Sequence, residues 1–341
     1  ELALRAIEIM QGDEVIVTPR TYVASVTSII NVGAKPVFAD IDLRSGNIDP
    51  NSIKALISKK TKAIICVHAL GVPCEMDEII EIAKLKNLKV IEDCAQAHGA
   101  IYKGRKVGSI GDIGAWSFCT DKIISTGGEG GMVTTNNSKL WMRMWSYKDH
   151  GRDWKLVNKK QSKPGFKWLI SSFGSNYRMT QMQAAIGRYQ LRRLDNWVKK
   201  RNKNSAKIIS AQKNFIGSDK LISKSYFIDD FLNGSNINAC YKLSFILNIQ
   251  NIKKGWNRNK IIEEINKKKI PCFHGICAEV YLEKAIKQSA YKINYRLKNA
   301  KILNDRGIMF LVHPTLSKQN IMDTNKVLTE VFSRASKHQI K

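Results

Sequence analysis

The chain has 341 residues, 43% of them apolar, and its longest apolar run, Ala63 to Val72, is far short of the roughly 18–20 residues needed to span a bilayer. That length and composition suit a globular protein with one large and one smaller domain, and no membrane partner is expected. The formal net charge is +27, yet charges nearly balance over residues 1–150 and the excess is lysine dispersed through the later half. With no nucleic-acid motif beside it, that dispersal reads as a solvated surface, and no nucleic-acid partner is expected.

Seven cysteines, an odd number scattered through apolar stretches, fit a reducing cytoplasm better than a disulfide framework. Cys272 and Cys277 have no second Cys/His pair nearby, and His98, His150, His274 and His313 show no ligand spacing. No metal site is expected.

In chain order, a helix over 1–10 is followed by Gly12-Asp13 and a strand over 14–18. A helix from about Tyr22 to Asn31 leads to a strand over 35–40. A helix over 50–58 precedes a strand over 62–68, and a helix over 77–86, with Ile79, Ile80, Ile82, Ala83 and Leu85 on a broad apolar face, precedes a strand over 88–92. This alternation predicts an α/β fold with a mainly parallel sheet covered on both faces. Strands over 113–118 and 131–135 follow, joined by a glycine-rich turn. The spacing of Met182, Ala185, Ile186, Tyr189, Leu191, Leu194 and Trp197 predicts one long helix over 179–202 linking two domains. Beyond it come a strand over 241–247, a helix over 260–268, a strand over 310–312 and a helix over 320–336. Residues 1–205 are expected to form the large domain, and 206–341 a smaller α+β domain.

Two positions carry the chemistry. Asp93, in Glu92-Asp93-Cys94-Ala95-Gln96-Ala97-His98-Gly99, ends a strand that should be central, and α/β sheets place ligands at such carboxyl ends. Alone it reads equally as a helix cap. Lys122, in Ser117-Phe118-Cys119-Thr120-Asp121-Lys122, precedes Gly127-Gly128-Glu129-Gly130-Gly131, and alone reads as a surface lysine. Together a carboxylate and a lysine so placed are what a pyridoxal 5'-phosphate (PLP) site requires. The amine forms a Schiff base with the cofactor aldehyde, and the carboxylate keeps the pyridine nitrogen protonated. Ala95 is small enough for a flat ring to lie against, and the Gln96 amide suits the ring's phenolic oxygen. The glycine turn runs into a strand and not a helix, so it is neither a dinucleotide fingerprint nor a P-loop. Asn176-Tyr177-Arg178 at a helix start suits an anion or ordinary capping.

These motifs, with Thr21-Tyr22-Val23-Ala24-Ser25, His150-Gly151-Arg152 and Met309-Phe310-Leu311-Val312-His313-Pro314, make the chain resemble the DegT–DnrJ–StrS family of nucleotide-sugar aminotransferases, within the fold-type-I PLP enzymes. The resemblance implies PLP-dependent transamination of a keto nucleotide-sugar, of the 4-keto-6-deoxyhexose type, with L-glutamate as donor, in a cytoplasmic enzyme serving surface polysaccharide or glycoconjugate synthesis. It assigns Lys122 as the Schiff-base lysine and proton shuttle, Asp93 to the pyridinium and Gln96 to the 3-oxygen. Tyr22 and Ala95 would cover the two ring faces. Ser117 would hold the phosphate, joined by Asn176 from the partner subunit, so that a homodimer shares its active sites. It also implies a phosphate-binding Gly-Thr-x-x-Ala turn in a segment before Glu1, so the sequence is expected to lack part of the family's N-terminal region. A sugar dehydratase and a catalytically impaired or regulatory homologue are the alternatives. In the dehydratase, histidine replaces the lysine, so Lys122 argues against it.

Overall fold

A computed structural model describes residues 1–160, 165–223 and 236–337. Among these residues the larger sheet has six strands: β1 (Glu14–Val17), β2 (Lys35–Phe38), β3 (Thr61–Val67), β4 (Lys89–Asp93), β7 (Ile113–Ser117) and β8 (Gly131–Thr134). Their order is β2-β1-β3-β4-β7-β8, parallel except for β8. A two-stranded hairpin, β5 (Ile101–Tyr102) with β6 (Arg105–Lys106), projects between β4 and β7. β3 is buried on both faces apart from Lys62, which is why its sequence is a continuous apolar run and not an alternating one.

The helices that cover this sheet are α1 (Leu2–Ala6), α2 (Ala24–Asn31), α3 (Pro50–Leu56), α4 (Met76–Leu85) and α5 (Ser138–Lys148). Local chemistry sets their ends. Asp49 caps α3 by accepting from the Asn51 N–H, with Pro50 in the first turn. Asp77 and Glu78 lie in the first turn of α4, where the helix dipole favours negative charge. One face of the sheet packs Val15, Val17, Ile65, Ile91 and Ile113 against α1, α2 and α5. The other packs Ile16, Ile64, Cys66 and Val90 against α3 and α4.

The expected first helix is shorter than 1–10. α1 ends at Ala6 and Glu8 turns the chain at φ 60, a left-handed residue with no glycine to announce it. The expected helix over 179–202 is also corrected. It is two helices, α7 (Gln181–Leu191) and α8 (Leu194–Ala211), after a short α6 (Trp154–Asn158). A tight turn joins them, with the Arg193 N–H donating to Gln190 O at 2.9 Å. No proline or glycine marks this break, so the apolar spacing runs straight through it. The two helices differ in what they touch: α7 buries none of its residues, whereas α8 buries Val198, Ile208 and Ile209.

The smaller sheet is antiparallel, ordered β10 (Cys272–Phe273), β11 (Gly307–Phe310) and β9 (Leu243–Ile246). β11 lies a few residues before the expected 310–312; Val312 is buried but falls outside the ladder. The helices Arg258–Lys267 and Lys318–Ala335 cover this sheet, and Phe245, Phe310 and Phe332 fill its core. The later chain also returns to the large sheet. The Val280 N–H donates to Pro19 O at 3.0 Å, and the Asp40 carboxylate caps helix Lys298–Arg306 by accepting from the N–H groups of Asn299 and Ala300 at 2.9 and 3.0 Å. Among the described residues no helix is long and apolar enough to cross a membrane.

Candidate active site

Because β1, β3, β4 and β7 are parallel and β8 runs against them, the ends of the first four and the start of β8 share one edge. Asp93 pairs in register with Ala115, and Ser117 pairs with Gly131. Side chains two residues apart along a strand point to the same face, so Asp93, Ala115 and Ser117 share a face. Sheet register alone thus brings the expected carboxylate and hydroxyl together.

Asp93 is half-buried and its carboxylate is held from two sides. Oδ2 accepts from the Ser25 hydroxyl at 2.7 Å and Oδ1 from the Ala95 N–H at 3.0 Å. Ser25 is itself bonded to the Thr21 hydroxyl at 2.7 Å. Sequence reasoning quoted Ser25 without giving it a role, since nothing local says which face of α2 meets β4. Among the described residues no Lys, Arg or His side chain forms an ion pair with Asp93, and the cationic group that acts on it is the Glu1 amino group. Asp93 is not a helix cap.

The residue before it anchors the strand. Glu92 is fully buried and accepts from the N–H groups of Gly108, Ile110 and Gly111 at 2.8, 2.8 and 2.7 Å, with His68 Nε2 at 3.1 Å. His68 Nδ1 accepts from the Cys74 N–H at 3.0 Å, so its proton sits on Nε2 and points at Glu92. Burial alone would raise the Glu92 pKa, but His68 and the backbone donors more than reverse this and hold it below the usual range. His68, Glu92 and Cys94 offer ligand atoms within 4.8 Å of one another. His68 and Glu92 are already engaged by these hydrogen bonds, and burial pushes the Cys94 thiol well up, so the group reads as structural.

Lys122 lies on the β7–β8 loop with 16% of its side chain exposed, its Nζ 3.4 Å from Asp121 Oδ1. The Tyr241 hydroxyl donates to the other Asp121 oxygen, and Lys122 Nζ stands 5.4 Å from the centre of the Tyr241 ring. The loop is tightly tied: Phe118 N–H donates to Gly130 O at 2.8 Å, and the Thr126 hydroxyl to Glu129 O at 3.0 Å. A Cβ at Gly130 would come within 2.2 Å of the Thr126 hydroxyl, which accounts for that glycine by close approach.

The other expected residues are placed as follows. Ser117 Oγ accepts a long 3.4 Å bond from the Cys119 N–H, leaving its own hydrogen available. Gln96 Oε1 accepts from the Leu70 N–H at 2.7 Å, so the group it can offer a ligand is its NH2. Ala95 follows Asp93 directly at the strand end. Tyr22, in the loop after β1, is 72% exposed. Asn176 is exposed and bonds Arg178 Nε at 3.0 Å, with no hydrogen bond to Ser117 of its own chain. A cavity of about 700 Å³ opens nearby between α1, Ala115, Gly131 and Tyr177, and Asp93, Lys122, Ser117 and Gln96 are not among its lining residues. Below the edge His98 is buried against the rings of Trp116 and Phe118 at 5.2 and 5.9 Å, with no well-formed hydrogen bond at either ring nitrogen. Burial pushes its pKa down to about 4; the Ser117 backbone nearby opposes this weakly, and Lys122 and Arg201 add to it.

The donor set fits PLP. A carboxylate with no side-chain ion pair suits a ring N–H⁺, a sheltered amine suits an aldehyde, and a hydroxyl with a free hydrogen suits a phosphate. Fold and site together define a fold-type-I PLP-dependent aminotransferase. The chain belongs to the DegT/DnrJ/EryC1/StrS aminotransferase family, whose model matches residues 1–329. It is similar to an aminotransferase from Psychrobacter cryohalolentis, solved by X-ray, at 50% identity and a TM-score of 0.95 over 98% of this chain and 84% of that one. The spore coat polysaccharide biosynthesis protein SpsC of Bacillus subtilis is 32% identical over 338 residues, 98% of this chain and 83% of that protein. A GDP-perosamine synthase of Escherichia coli O157:H7 is 46% identical over 200 residues, which are 59% of this chain and about half, 52%, of that protein.

Proposed function

We propose that the protein transfers the amino group of L-glutamate to the ketone of a nucleotide-linked 4-keto-6-deoxyhexose, for surface polysaccharide or glycoconjugate synthesis. The observation that carries this reading is the Asp93 carboxylate, held by Ser25 and the Ala95 N–H and free of any side-chain ion pair among the described residues, at the sheet edge that also holds the Lys122 loop. Bound PLP would supply an aldehyde that condenses with amines and a protonated ring that accepts an electron pair from a substrate carbon. Asp93, steadied by Ser25 and Ala95, holds the ring-nitrogen proton. Lys122 would move the proton between the substrate Cα and the cofactor's C4', as a general base and then acid. Ser117 donates to the phosphate, Gln96 offers its NH2 to the phenolic oxygen, and Tyr22 and Ala95 flank the ring. The likeness to a GDP-perosamine synthase supports a nucleotide-linked sugar, and the likeness to SpsC supports a polysaccharide role.

The active form in this reading is a homodimer in which Asn176 of each chain completes the partner's phosphate site. Support comes from an uncovered apolar surface: Trp168 and Phe173 are 82% and 98% exposed, and α7 presents Met182, Ile186, Tyr189 and Leu191 without burying a residue. Large apolar side chains left exposed in such number suit an association site. Seven free cysteines, five of them buried, suit a cytoplasmic location.

The test is to incubate the protein with PLP, L-glutamate and nucleotide-linked 4-keto-6-deoxyhexoses and follow the products by mass spectrometry. Equimolar amino-sugar and 2-oxoglutarate support the reading. Loss of water from the sugar without amine transfer would establish the dehydratase instead.

A further inference from the structure

Lys122 and Asp121 are chain neighbours, and nothing in such a pair makes the two side chains meet. Asp121 is 57% exposed and, left to itself, would point into water. What turns it toward Lys122 is a residue 120 positions away, Tyr241, whose hydroxyl donates to Asp121 Oδ2 while Asp121 Oδ1 faces Lys122 Nζ at 3.4 Å.

Tyr241 is firmly held. It is 4% exposed, its N–H donates to Leu70 O at 3.0 Å, and its carbonyl accepts from Arg201 Nη1 of α8 at 3.0 Å. It stands just before β9, so it comes from the chain entering the small sheet while its tip reaches the β7–β8 loop of the large one. Around the lysine the charges are mixed. Asp121 is the acid in contact; Lys242 lies over the Tyr241 ring at 5.0 Å, and Lys122 and Arg201 both act on His98. Burial raises the Asp121 pKa, but the Tyr241 hydroxyl and Lys122 outweigh that and hold it below the usual range. Burial and the adjacent Asp121 raise the Tyr241 phenol, which therefore stays a donor.

We propose that Tyr241 is a positioning residue for Lys122: by fixing Asp121 it holds the amine beside the Tyr241 ring, and so ties the reactive lysine of the large sheet to the small one. The proposal rests on Lys122 being the reacting amine. A lysine in this role has a four-carbon stem that wanders when released, and an anchored anion gives the free amine a defined place close to where it reacts. An exposed carboxylate not held by Tyr241 would provide a much weaker anchor.

The test is competitive labelling of full-length, cofactor-free protein with trinitrobenzenesulfonate at pH 8. Peptide mass spectrometry reads Lys122 against the exposed Lys253, because an amine in an ion pair is the less nucleophilic one. Tyr241→Phe keeps the ring and removes only the hydroxyl; it should raise Lys122 labelling about two- to fivefold. Asp121→Asn should do the same, the double variant should exceed neither, and Asp121→Glu should restore most of the protection. Unchanged labelling in Tyr241→Phe, or two effects that multiply in the double variant, would overturn the proposal. Thiol labelling of the fully buried Cys66 reports any loosening of the fold, and if Tyr241→Phe loosens it, the exposed position Asp121 decides: no gain in Asp121→Asn overturns the proposal. Borohydride reduction of the PLP-loaded protein separately identifies the lysine that bonds the cofactor. If that is not Lys122, the function assigned to it fails while the labelling pattern stands.

Discussion

The Ser25 hydroxyl donates to Asp93 Oδ2 at 2.7 Å, joining the first turn of α2 to the end of β4 across 68 positions of chain. A carboxylate held by one hydroxyl and one backbone N–H cannot rotate freely, and its orientation toward a ligand is set before the ligand arrives. Asp93→Asn is expected to lower the single-turnover rate with glutamate by about 10²–10³ while PLP affinity falls by less than about tenfold. Ser25→Ala, which leaves the charge but frees it, should cost about tenfold in the same rate. Stopped-flow absorbance and a PLP titration read the two quantities, and an unchanged rate in Asp93→Asn would remove Asp93 from the site.

Lys122→Ala should eliminate the borohydride-stable attachment of PLP and reduce turnover by more than about 10³-fold. The circular dichroism spectrum should stay that of the parent, because the side chain is at the edge of a loop and not in a core. Peptide mapping after reduction checks the attachment, and turnover retained without added amine would refute the assignment.

Glu92→Gln should be among the most destabilising single substitutions in the chain. The carboxylate accepts from three backbone N–H groups and from His68, and an amide turns one of its acceptors into a donor facing donors. A loss of about 2–4 kcal/mol is expected by urea unfolding.

His98 gives the fold an acid limb. Its pKa in the fold lies at about 4, against 6.5 ordinarily. The folded state therefore keeps it neutral while the unfolded chain takes up a proton. The corresponding stability is complete above pH 6.5 and is lost as pH falls from 6.5 toward about 4. By pH 5 the loss is about 2 kcal/mol. His98→Phe, set against Trp116 and Phe118, should flatten this part of the curve of urea midpoint against pH; an equally steep curve would show that another group titrates.

Trp168→Asp combined with Phe173→Asp should shift the protein from two chains toward one in sedimentation equilibrium, because two charges would be desolvated in the shared surface. Turnover per chain should then become concentration-dependent if Asn176 serves the partner's site. A pair of chains that persists would place the interface elsewhere.

Much of the fold was legible in the sequence because a parallel strand buried on both faces is written as a continuous apolar run, as in β3, and strands alternate with helical patterns along residues 1–92. The placement of Asp93 and Lys122 was legible too: the strand end and the glycine-rich turn seen in the sequence put both at one edge of the large sheet. The break between α7 and α8 was not, because no residue there disfavours helix; the two halves simply meet different surroundings. The tertiary structure alone decided that Ser25 would face Asp93, that Asp40 would cap a helix more than 250 positions later, and that Tyr241 would reach Asp121. Contacts of that kind depend on which face of one element meets which end of another. Sequence spacing specifies faces within a strand or helix, and only packing specifies the meeting.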